Sequence, residues 1–261
     1  DAGTKILWNF HYRWSPISGF SSFYYSYWDR GEELPLYYEG TGGGVQLSRR
    51  SEPEYLEQGG DLFRGESRKS ASGAEVTAPF DARGIMLLTY RYKESDQPLN
   101  KARNDDTWVY VPTLRRVRRI STAQRTDAIS GTDFTFEDLE ERDVDRSTYR
   151  MIGEESIGGE ACWKIEATPK PEARSQYDRV LLWVRKDIYL FARAESYARG
   201  KLVRRLDYSN IERVQNVWTA RTLVMHDIER DSRTTLKLEK LEYNLPLPAD
   251  SFTLQALRRE S

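Results

Sequence analysis

The sequence predicts a mainly β (α+β) fold: a strongly curved antiparallel sheet that forms a half-open β-barrel, with one or more short helices over its open face. Aromatic residues make up 12% of the chain, with 16 Tyr and 7 Trp, and such residues suit a pleated, half-buried surface. Segments with strand-like alternation follow one another between short turn signals, as in an antiparallel meander. Several of these segments are apolar on both faces, so each face of the sheet needs a cover.

The N-terminal part reads as aromatic strands. Ile6–Trp14 alternates between apolar and polar residues, which predicts a strand with one buried face, and Phe20–Trp28 predicts a second strand. A short strand is expected at Leu36–Glu39. The glycine cluster Gly42–Gly44 lacks a following Gly-Lys-Ser/Thr, so it predicts a hairpin or bulge rather than a phosphate loop. One further short strand is expected at Asp61–Lys69.

The central stretch from Trp108 to Glu140 organises the chain. A strand at Trp108–Val111 leads into a turn at Pro112-Thr113, because proline presets φ for a tight turn, and an arginine-rich strand follows. A polar loop then leads to a short acidic helix, for which Thr132 or Asp133 is the expected N-cap. This helix is expected to carry Phe134, Phe136 and Leu139.

The remaining predicted strands lie on both sides of the central stretch. They are expected at Gly84–Lys93, Thr148–Gly153, Glu160–Thr168, Arg179–Arg185, Tyr189–Tyr197, Leu202–Ile211, Trp218–Glu229 and Thr234–Tyr243. Each is bounded by a turn signal. A short helical or extended segment at Leu245–Leu257 is expected to close the chain. We expect a single domain over residues 1–261, with an aromatic N-terminal extension at 1–78 and a core meander at 79–257.

Composition and motifs exclude several classes of function. The formal net charge is −1, which argues against nucleic-acid binding. No apolar run approaches the ~20 residues needed to cross a bilayer. The single cysteine, Cys162, excludes an internal disulfide and a cysteine-based zinc site and is expected to be a buried thiol. No cofactor is expected.

No catalytic constellation can be assembled from the sequence. His11 and His226 lie on strand patterns and outside any metal-binding motif. Asp105 and Asp106 are adjacent and would point to opposite faces of a strand, and the acidic cluster Glu137–Glu141 is expected to be a solvated helix face. A nucleophile elbow is also missing from the sequence. We therefore expect a protein that is not an enzyme.

Four arginines follow the Pro112-Thr113 turn: Arg115, Arg116, Arg118 and Arg119. They alternate across a strand, so their charges fall on both faces. Guanidinium groups match phosphate and carboxylate anions, which makes these arginines candidates for contact with an anion or an acidic partner. The alternative is that they pair with Asp127, Asp133, Glu137 and Asp138 nearby.

Apolar strand residues are the candidates for a ligand-lined cavity. They are Met86, Leu88, Tyr90, Trp108, Tyr110, Leu181, Trp183, Leu223 and Met225. For any single residue, ordinary core packing is the competing interpretation. Burial of a lipid chain contributes about 0.8 kcal/mol per CH₂, so a cavity of this kind needs no polar group. Phe134, Phe136 and Leu139 would then form a lid.

Several motifs in combination resemble a known family. These motifs are DDTWVYVPTLRRVRRIS, GTDFTFEDL, a Gly-Gly turn, CWKIEATPK, WVRKD, an Arg-Gly-Lys turn and ADSFT. Together they resemble the LolA/LolB-like superfamily of bacterial outer-membrane lipoprotein-sorting-like proteins, most clearly from Pro79 to Leu257. The first part of the chain is similar to longer members named only as domains of unknown function.

The resemblance implies a location and partners. It implies a protein of the Gram-negative periplasm, in some cases associated with the outer membrane, that carries lipid or other apolar cargo between the two membranes. It further implies an RND-type exporter of the inner membrane and an outer-membrane protein as partners. The alternative is a scaffold or adaptor of an envelope export complex without an open cavity.

Overall fold

The computed structural model describes residues 1–12, 18–29, 32–46, 68–92, 105–129, 131–140, 144–245 and 249–258. Within these ranges it has two α-helices and thirteen β-strands. The helices are α1 (Ala2–Tyr12) and α2 (Phe136–Leu139). The strands are β1 (Ser18–Asp29), β2 (Glu32–Gln46), β3 (Arg68–Ala78), β4 (Met86–Tyr92), β5 (Asp106–Val111), β6 (Arg116–Arg119), β7 (Ser147–Ile157), β8 (Glu160–Pro169), β9 (Arg179–Arg185), β10 (Phe191–Ala198), β11 (Lys201–Val214), β12 (Val217–Asp227) and β13 (Ser232–Tyr243).

All strand pairs with a resolved register are antiparallel. The hydrogen-bonded order is β6-β5-β4-β3-β2-β1-β13-β12-β11-β10-β9-β8-β7. From β7 to β13 each strand pairs with its neighbour in sequence, which confirms the predicted meander. In the described residues, no helix combines the length and the apolar character needed to cross a membrane.

The predicted strand at Ile6–Trp14 is wrong, because this segment begins inside helix α1. Asp1 Oδ1 accepts a hydrogen bond from the Gly3 N–H at 2.8 Å, which satisfies one of the free donors at a helix N-terminus. Gly3, Ile6 and Leu7 are buried, and this spacing of three and four residues is that of a helix face. The alternation of aromatic residues hid the helical period.

Helix α1 packs closely on strand β7. A Cβ atom on Gly3 would lie 3.0 Å from the backbone nitrogen of Met151, so glycine permits the close approach of helix and strand. Near the other end of the helix, the Phe10 ring stacks on Phe191 with 4.1 Å between centroids. Phe10, one of the aromatic residues predicted to face a core, therefore packs from a helix and not from a strand.

The predicted hairpin or bulge at Gly42–Gly44 is corrected as well. These glycines lie inside β2 and pair with Ala74, Gly73 and Ser72 of β3, while the register shift falls between Glu39 and Gly40. A Cβ atom on Gly40 would lie 2.5 Å from Cζ of Phe23, so an aromatic ring occupies the space above the strand. Of the predicted strand Asp61–Lys69, residues 61–67 lie outside the described residues.

The described residues divide into two compact units. Unit 1 comprises Asp1–Ser15, Ser26–Pro35 and Thr126–Lys237, and unit 2 comprises Pro16–Tyr25, Leu36–Arg125 and Leu238–Ser261. Each unit has its own core. In unit 1, residues such as Ile165 and Val184 pack with Ile6 and Leu7 of α1. In unit 2, Leu88, Tyr90 and Tyr92 pack with Phe252 and Leu257. The single-domain assignment stays a prediction.

Cys162 is fully buried in unit 1, as predicted. Burial raises the pKa of its thiol, and a buried neutral thiol reacts slowly because the thiolate is the nucleophile. We expect no labelling of Cys162 by a thiol reagent at neutral pH in the native protein and one equivalent of labelling in denaturant. Stoichiometric labelling under native conditions would contradict the inert role.

Candidate functional site

The described residues between Thr126 and Glu140 form a compact loop that leads into helix α2. The Ile129 N–H donates to the Phe134 carbonyl at 2.8 Å, and the Thr132 N–H donates to the Ile129 carbonyl at 2.8 Å. Helix α2 is capped by Thr135, whose hydroxyl accepts from the Asp138 N–H at 3.3 Å, and Asp138 Oδ2 accepts from the Thr135 N–H at 2.9 Å. This is a capping box.

The structure therefore corrects the predicted N-cap of helix α2 and one of the three predicted lid residues, Phe134. The N-cap is Thr135 rather than Thr132 or Asp133. Phe134 precedes the helix and is 2% exposed, while Leu139 is 43% exposed and Phe136 is half-buried. Phe134 thus holds the loop in place from inside unit 1. The lid role of Phe136 and Leu139 stays a prediction.

A buried carboxylate anchors this loop to strand β13. Asp133 accepts hydrogen bonds from the Ser232 hydroxyl at 2.5 Å and the Thr234 hydroxyl at 2.8 Å. Its N–H donates to Thr234 Oγ1 at 2.8 Å, and the guanidinium of Arg204 donates to its carbonyl. Asp133, Ser232 and Thr234 are at most 1% exposed. Burial raises the pKa of Asp133, and the two hydroxyl hydrogen bonds oppose this shift.

A second buried carboxylate anchors helix α2. Glu137 is 2% exposed and accepts from the Ser175 hydroxyl at 2.5 Å and the Gln176 N–H at 3.0 Å. On the next residue, Asp138 Oδ1 accepts from the Tyr177 hydroxyl at 2.7 Å, and burial is the main reason that the pKa of Tyr177 is raised. The expectation that the acidic cluster is a solvated helix face is wrong for Glu137, because its carboxylate holds the helix to the loop before β9.

Four strands of unit 1 present a row of apolar side chains on one face. The pairing across β9, β10, β11 and β12 aligns Leu182, Ala194, Leu206 and Met225, and directly paired residues share a face. Leu223 lies two residues before Met225 and so on the same face. Met225 is 2% exposed, whereas the other four are half-buried. We call these five residues the apolar face of unit 1.

Leu181 and Trp183 do not belong to the apolar face. They alternate with Leu182 along β9, so they point to the opposite side of the sheet. There they form a buried cluster with Cys162 and Ala192. The structure therefore brings Leu223 and Met225 together but places Leu181 and Trp183 on the other side, which corrects the expectation that all four line one cavity.

The other five predicted cavity residues lie in unit 2. They are Leu88 and Tyr90, which are buried, and Met86, Trp108 and Tyr110, which pack against them. The Tyr90 hydroxyl donates to the Phe252 carbonyl at 2.6 Å, which ties the closing segment of the chain to β4. Their packing with Phe252 is that of a core, and their role as cavity lining stays a prediction.

The arginine-rich hairpin is formed as predicted by β5 and β6. Arg119 pairs with Trp108 in the register, and its guanidinium donates to buried Asp106. Arg116 and Arg118 pair with Val111 and Val109 instead, so they share the opposite face. Arg115 occupies the turn with φ 47°. The four predicted arginines are exposed.

Ionisable groups elsewhere show no arrangement suited to metal binding. In the residues that the structure describes, no group of three or more His, Cys, Asp or Glu side chains could hold a metal ion. His226 lies on β12, where burial, with help from neighbouring Arg205, lowers its pKa. The side chain of His11 lies outside the described residues.

Sequence reasoning missed Leu182, Ala194 and Leu206 as members of the apolar face. Their signal is visible only in the register, because Leu206 follows Arg204 and Arg205 on a strand that looks polar. It also missed Asp133 and Glu137 as anchors. The Gly-Thr-Asp-Phe motif marked this position, but the Ser232 and Thr234 hydroxyls that bind Asp133 are about 100 residues away in sequence.

The fold and this site can be compared with known proteins. A family model described as an uncharacterized protein matches residues 69–259. A DUF1329 family protein from Desulfovibrio piger is 26% identical, with a TM-score of 0.84 and coverage of 98% of each chain. A domain from Vibrio parahaemolyticus named for outer membrane lipoprotein sorting is 19% identical, with a TM-score of 0.82 and coverage of 99% of each chain.

A more distant structure extends the fold comparison. A LolA superfamily protein from Nitrosomonas europaea is 17% identical, with a TM-score of 0.65 and coverage of 97% of this chain and 98% of its own. No protein with a curated description matches the sequence significantly. The fold class that the sequence predicts, a mainly β protein built on a curved antiparallel sheet, is confirmed. The chain belongs to the DUF1329 family and has a LolA-like fold.

Proposed function

We propose that the protein is a periplasmic carrier or binding protein for lipid or another hydrophobic ligand. The observation that carries this proposal is the apolar face of unit 1. Its half-buried members stand in register across adjacent strands, and Leu182 and Ala194 border the core that packs on α1, so the apolar face continues from that core across β10, β11 and β12. Contiguous apolar surface of this kind is typical of a ligand-binding or interaction site. The shared fold with LolA-superfamily and lipoprotein-sorting proteins supports the same function.

The dimensions of the apolar face suit a chain-like ligand. From Leu182 on β9 to Met225 on β12 the row crosses three strand spacings, which is about 14 Å. Each buried CH₂ of a ligand contributes about 0.8 kcal/mol, so an acyl chain lying along this row binds usefully through apolar contact alone. Binding rather than catalysis is the function that such a surface supports.

A carrier of this kind can also transport its ligand between membranes. We propose that the protein moves its cargo between the inner and outer membranes, with an RND-type exporter and an outer-membrane protein as partners. The resemblance of the sequence to exporter-associated relatives supports these partners. A pull-down from cross-linked Gram-negative cells should recover an RND-type protein, and its absence from repeated pull-downs would contradict this part alone.

The first test of the proposed function is to identify the ligand that the protein carries. Protein purified from a Gram-negative periplasm without detergent is extracted with organic solvent and analysed by mass spectrometry. We expect a lipid at close to one equivalent, or, for empty protein, uptake of a fluorescent fatty acid. Protein that is empty and takes up no fatty acid would contradict the carrier function and favour the adaptor, which the exposed arginines of the terminal strand β6 support.

A pair of adjacent substitutions tests the binding surface. Leu223→Asn places an amide on the apolar face, and we expect about a tenfold weaker affinity for a fluorescent fatty acid, since a leucine contact is worth about 1.5 kcal/mol or more. Val224→Asn is the matched control, because Val224 is also half-buried on β12 but points to the opposite side. Equal affinity of the two variants would contradict a ligand on this face.

A further inference from the structure

Two turns lie side by side at one end of unit 2. The first, residues 79–85, connects β3 to β4, and the second, residues 112–115, connects β5 to β6. Because β3, β4, β5 and β6 pair antiparallel in sequence order, both turns emerge at the same end of their strands. A Cβ atom on Gly84 would lie 3.1 Å from Cγ of Pro112, so the two turns are in contact. We call them the paired turns.

Each of the paired turns exposes a large apolar side chain. Phe80 is 87% exposed and Leu114 is 56% exposed, the highest values for large hydrophobic residues in the described part of the chain. Both turns are internally hydrogen-bonded: the Arg83 N–H donates to the Phe80 carbonyl at 3.2 Å and the Arg115 N–H donates to the Pro112 carbonyl at 3.0 Å. The apolar groups are therefore held out into water by ordered backbone.

Exposed arginines flank these apolar groups in the sequence. Residues 79–85 and 111–118 contain four arginines and one acidic residue, Asp81. All four guanidinium-bearing residues are exposed: they are Arg83, Arg115, Arg116 and Arg118. The net charge of the whole chain is −1, so the overall composition conceals a local cluster of cations. Arginine matches phosphate groups through paired hydrogen bonds.

We propose that the paired turns dock the protein onto the surface of an anionic phospholipid bilayer. Phe80 and Leu114 enter the boundary between headgroups and acyl chains, and the arginines contact lipid phosphates. Exposed apolar residues in turns, with exposed arginines in the same turns and at the start of β6, combine the two attractions that hold proteins at membrane surfaces. An acidic protein partner is less well matched, because two exposed apolar side chains offer too little apolar area for an interface core. This docking does not depend on bound cargo.

The experiment is co-sedimentation of the full chain with large vesicles of phosphatidylglycerol and phosphatidylethanolamine, or of phosphatidylcholine alone. We expect binding to the anionic vesicles that weakens as salt rises, because salt screens exposed charges, and little binding to phosphatidylcholine. Failure of the wild-type protein to bind anionic vesicles at low salt, or equal binding to both vesicle types, would overturn the proposal.

Paired substitutions locate the binding surface. An exposed basic residue contributes about a fivefold change in affinity at such a membrane, so Arg116→Gln/Arg118→Gln should weaken binding about 25-fold. The matched control, Arg199→Gln/Lys201→Gln, removes two exposed charges from the turn between β10 and β11 and should leave binding unchanged. If both double variants lose affinity equally, general electrostatic attraction explains the binding and the proposal is wrong.

A second set of substitutions tests whether Phe80 and Leu114 enter the membrane. Phe80→Ser/Leu114→Ser should weaken binding about 100-fold, whereas Phe80→Trp should retain it because tryptophan also favours the interface. Ile228→Ser removes an apolar side chain that is 40% exposed in unit 1 and should have no effect. Unchanged binding of the serine double variant would overturn insertion of Phe80 and Leu114. Fatty-acid binding measured on the same variants should stay at the wild-type value, which separates this inference from the carrier function.

Discussion

Phe134→Ala is expected to lower the free energy of unfolding by about 3–5 kcal/mol, the range for removal of a fully buried aromatic side chain. Phe134 is 2% exposed and ranks among the largest fully buried side chains of the described residues. Its backbone carbonyl also accepts the Ile129 N–H, so the ring and the loop are fixed together. Urea unfolding followed by tryptophan fluorescence measures the loss directly.

Phe136→Ala is the matched control for this substitution. Phe136 lies two residues further along, on helix α2, and is half-buried, so its truncation should cost less than half as much as that of Phe134. Two equally small losses would show that Phe134 is a mobile lid residue instead of a core residue. The lid hypothesis is best tested through Phe136 and Leu139, because a polar residue at position 134 would unfold the loop.

The order and approximate positions of the later strands could be predicted from the sequence, although β7 extends to Ile157 and the predicted strand ended at Gly153. In the region after Ser147, alternation and turn signals mark strands at their observed positions, with β9 matching at both ends. Local patterns carry this information because each hairpin is formed by neighbours in sequence. The pattern was ambiguous at the N-terminus, where Ile6, Trp8 and Phe10 fit a strand and Gly3, Ile6 and Leu7 fit a helix. Packing of α1 on β7 decides between them.

The sequence predicted only some of the residues that form the apolar face of unit 1. Alternation indicates that Leu181 and Leu182 face opposite sides, but it does not indicate which side meets a helix and which meets water. On β9, Leu182 faces the side covered by α1, and Leu181 faces a separate cluster with Cys162. Register between strands, which has no local signal in one sequence, determines that Leu206 stands beside Met225.

Asp133→Ala should lower the free energy of unfolding by about 2–4 kcal/mol. The substitution removes the acceptor of two hydroxyl hydrogen bonds, from Ser232 and Thr234, both of which are buried. Hydrogen bonds to a charged group contribute about 1.5–3 kcal/mol, and buried donors left without an acceptor add a desolvation cost. Asp127→Ala is the control, because Asp127 is exposed on the same loop and should change stability by less than about 0.5 kcal/mol.

Asp133→Asn separates the charge of the carboxylate from its hydrogen bonds. Asparagine retains an acceptor of similar shape, so we expect this variant to lose only about 1 kcal/mol at neutral pH. The loss is smaller because the neutral amide avoids the cost of burying a negative charge. An asparagine variant as unstable as the alanine variant would mean that the negative charge itself is required, through its attraction to neighbouring Arg230.

The difference between wild type and Asp133→Asn should also depend on pH. Burial raises the pKa of Asp133 above its ordinary value of 3.8, so between these two pKa values the folded protein binds more protons at this site than the unfolded chain. The contribution of Asp133 to the free energy of unfolding therefore increases as pH falls through the pKa that Asp133 has in the folded protein. The increase is complete below the pKa that it has in the unfolded chain. Other carboxyl groups affect both proteins alike, so urea midpoints measured from pH 7 to pH 4 should move in favour of the wild type. A difference that moves toward the variant on acidification would show that Asp133 is stabilised as the anion in the folded loop, with its hydroxyl and arginine neighbours outweighing the cost of burial.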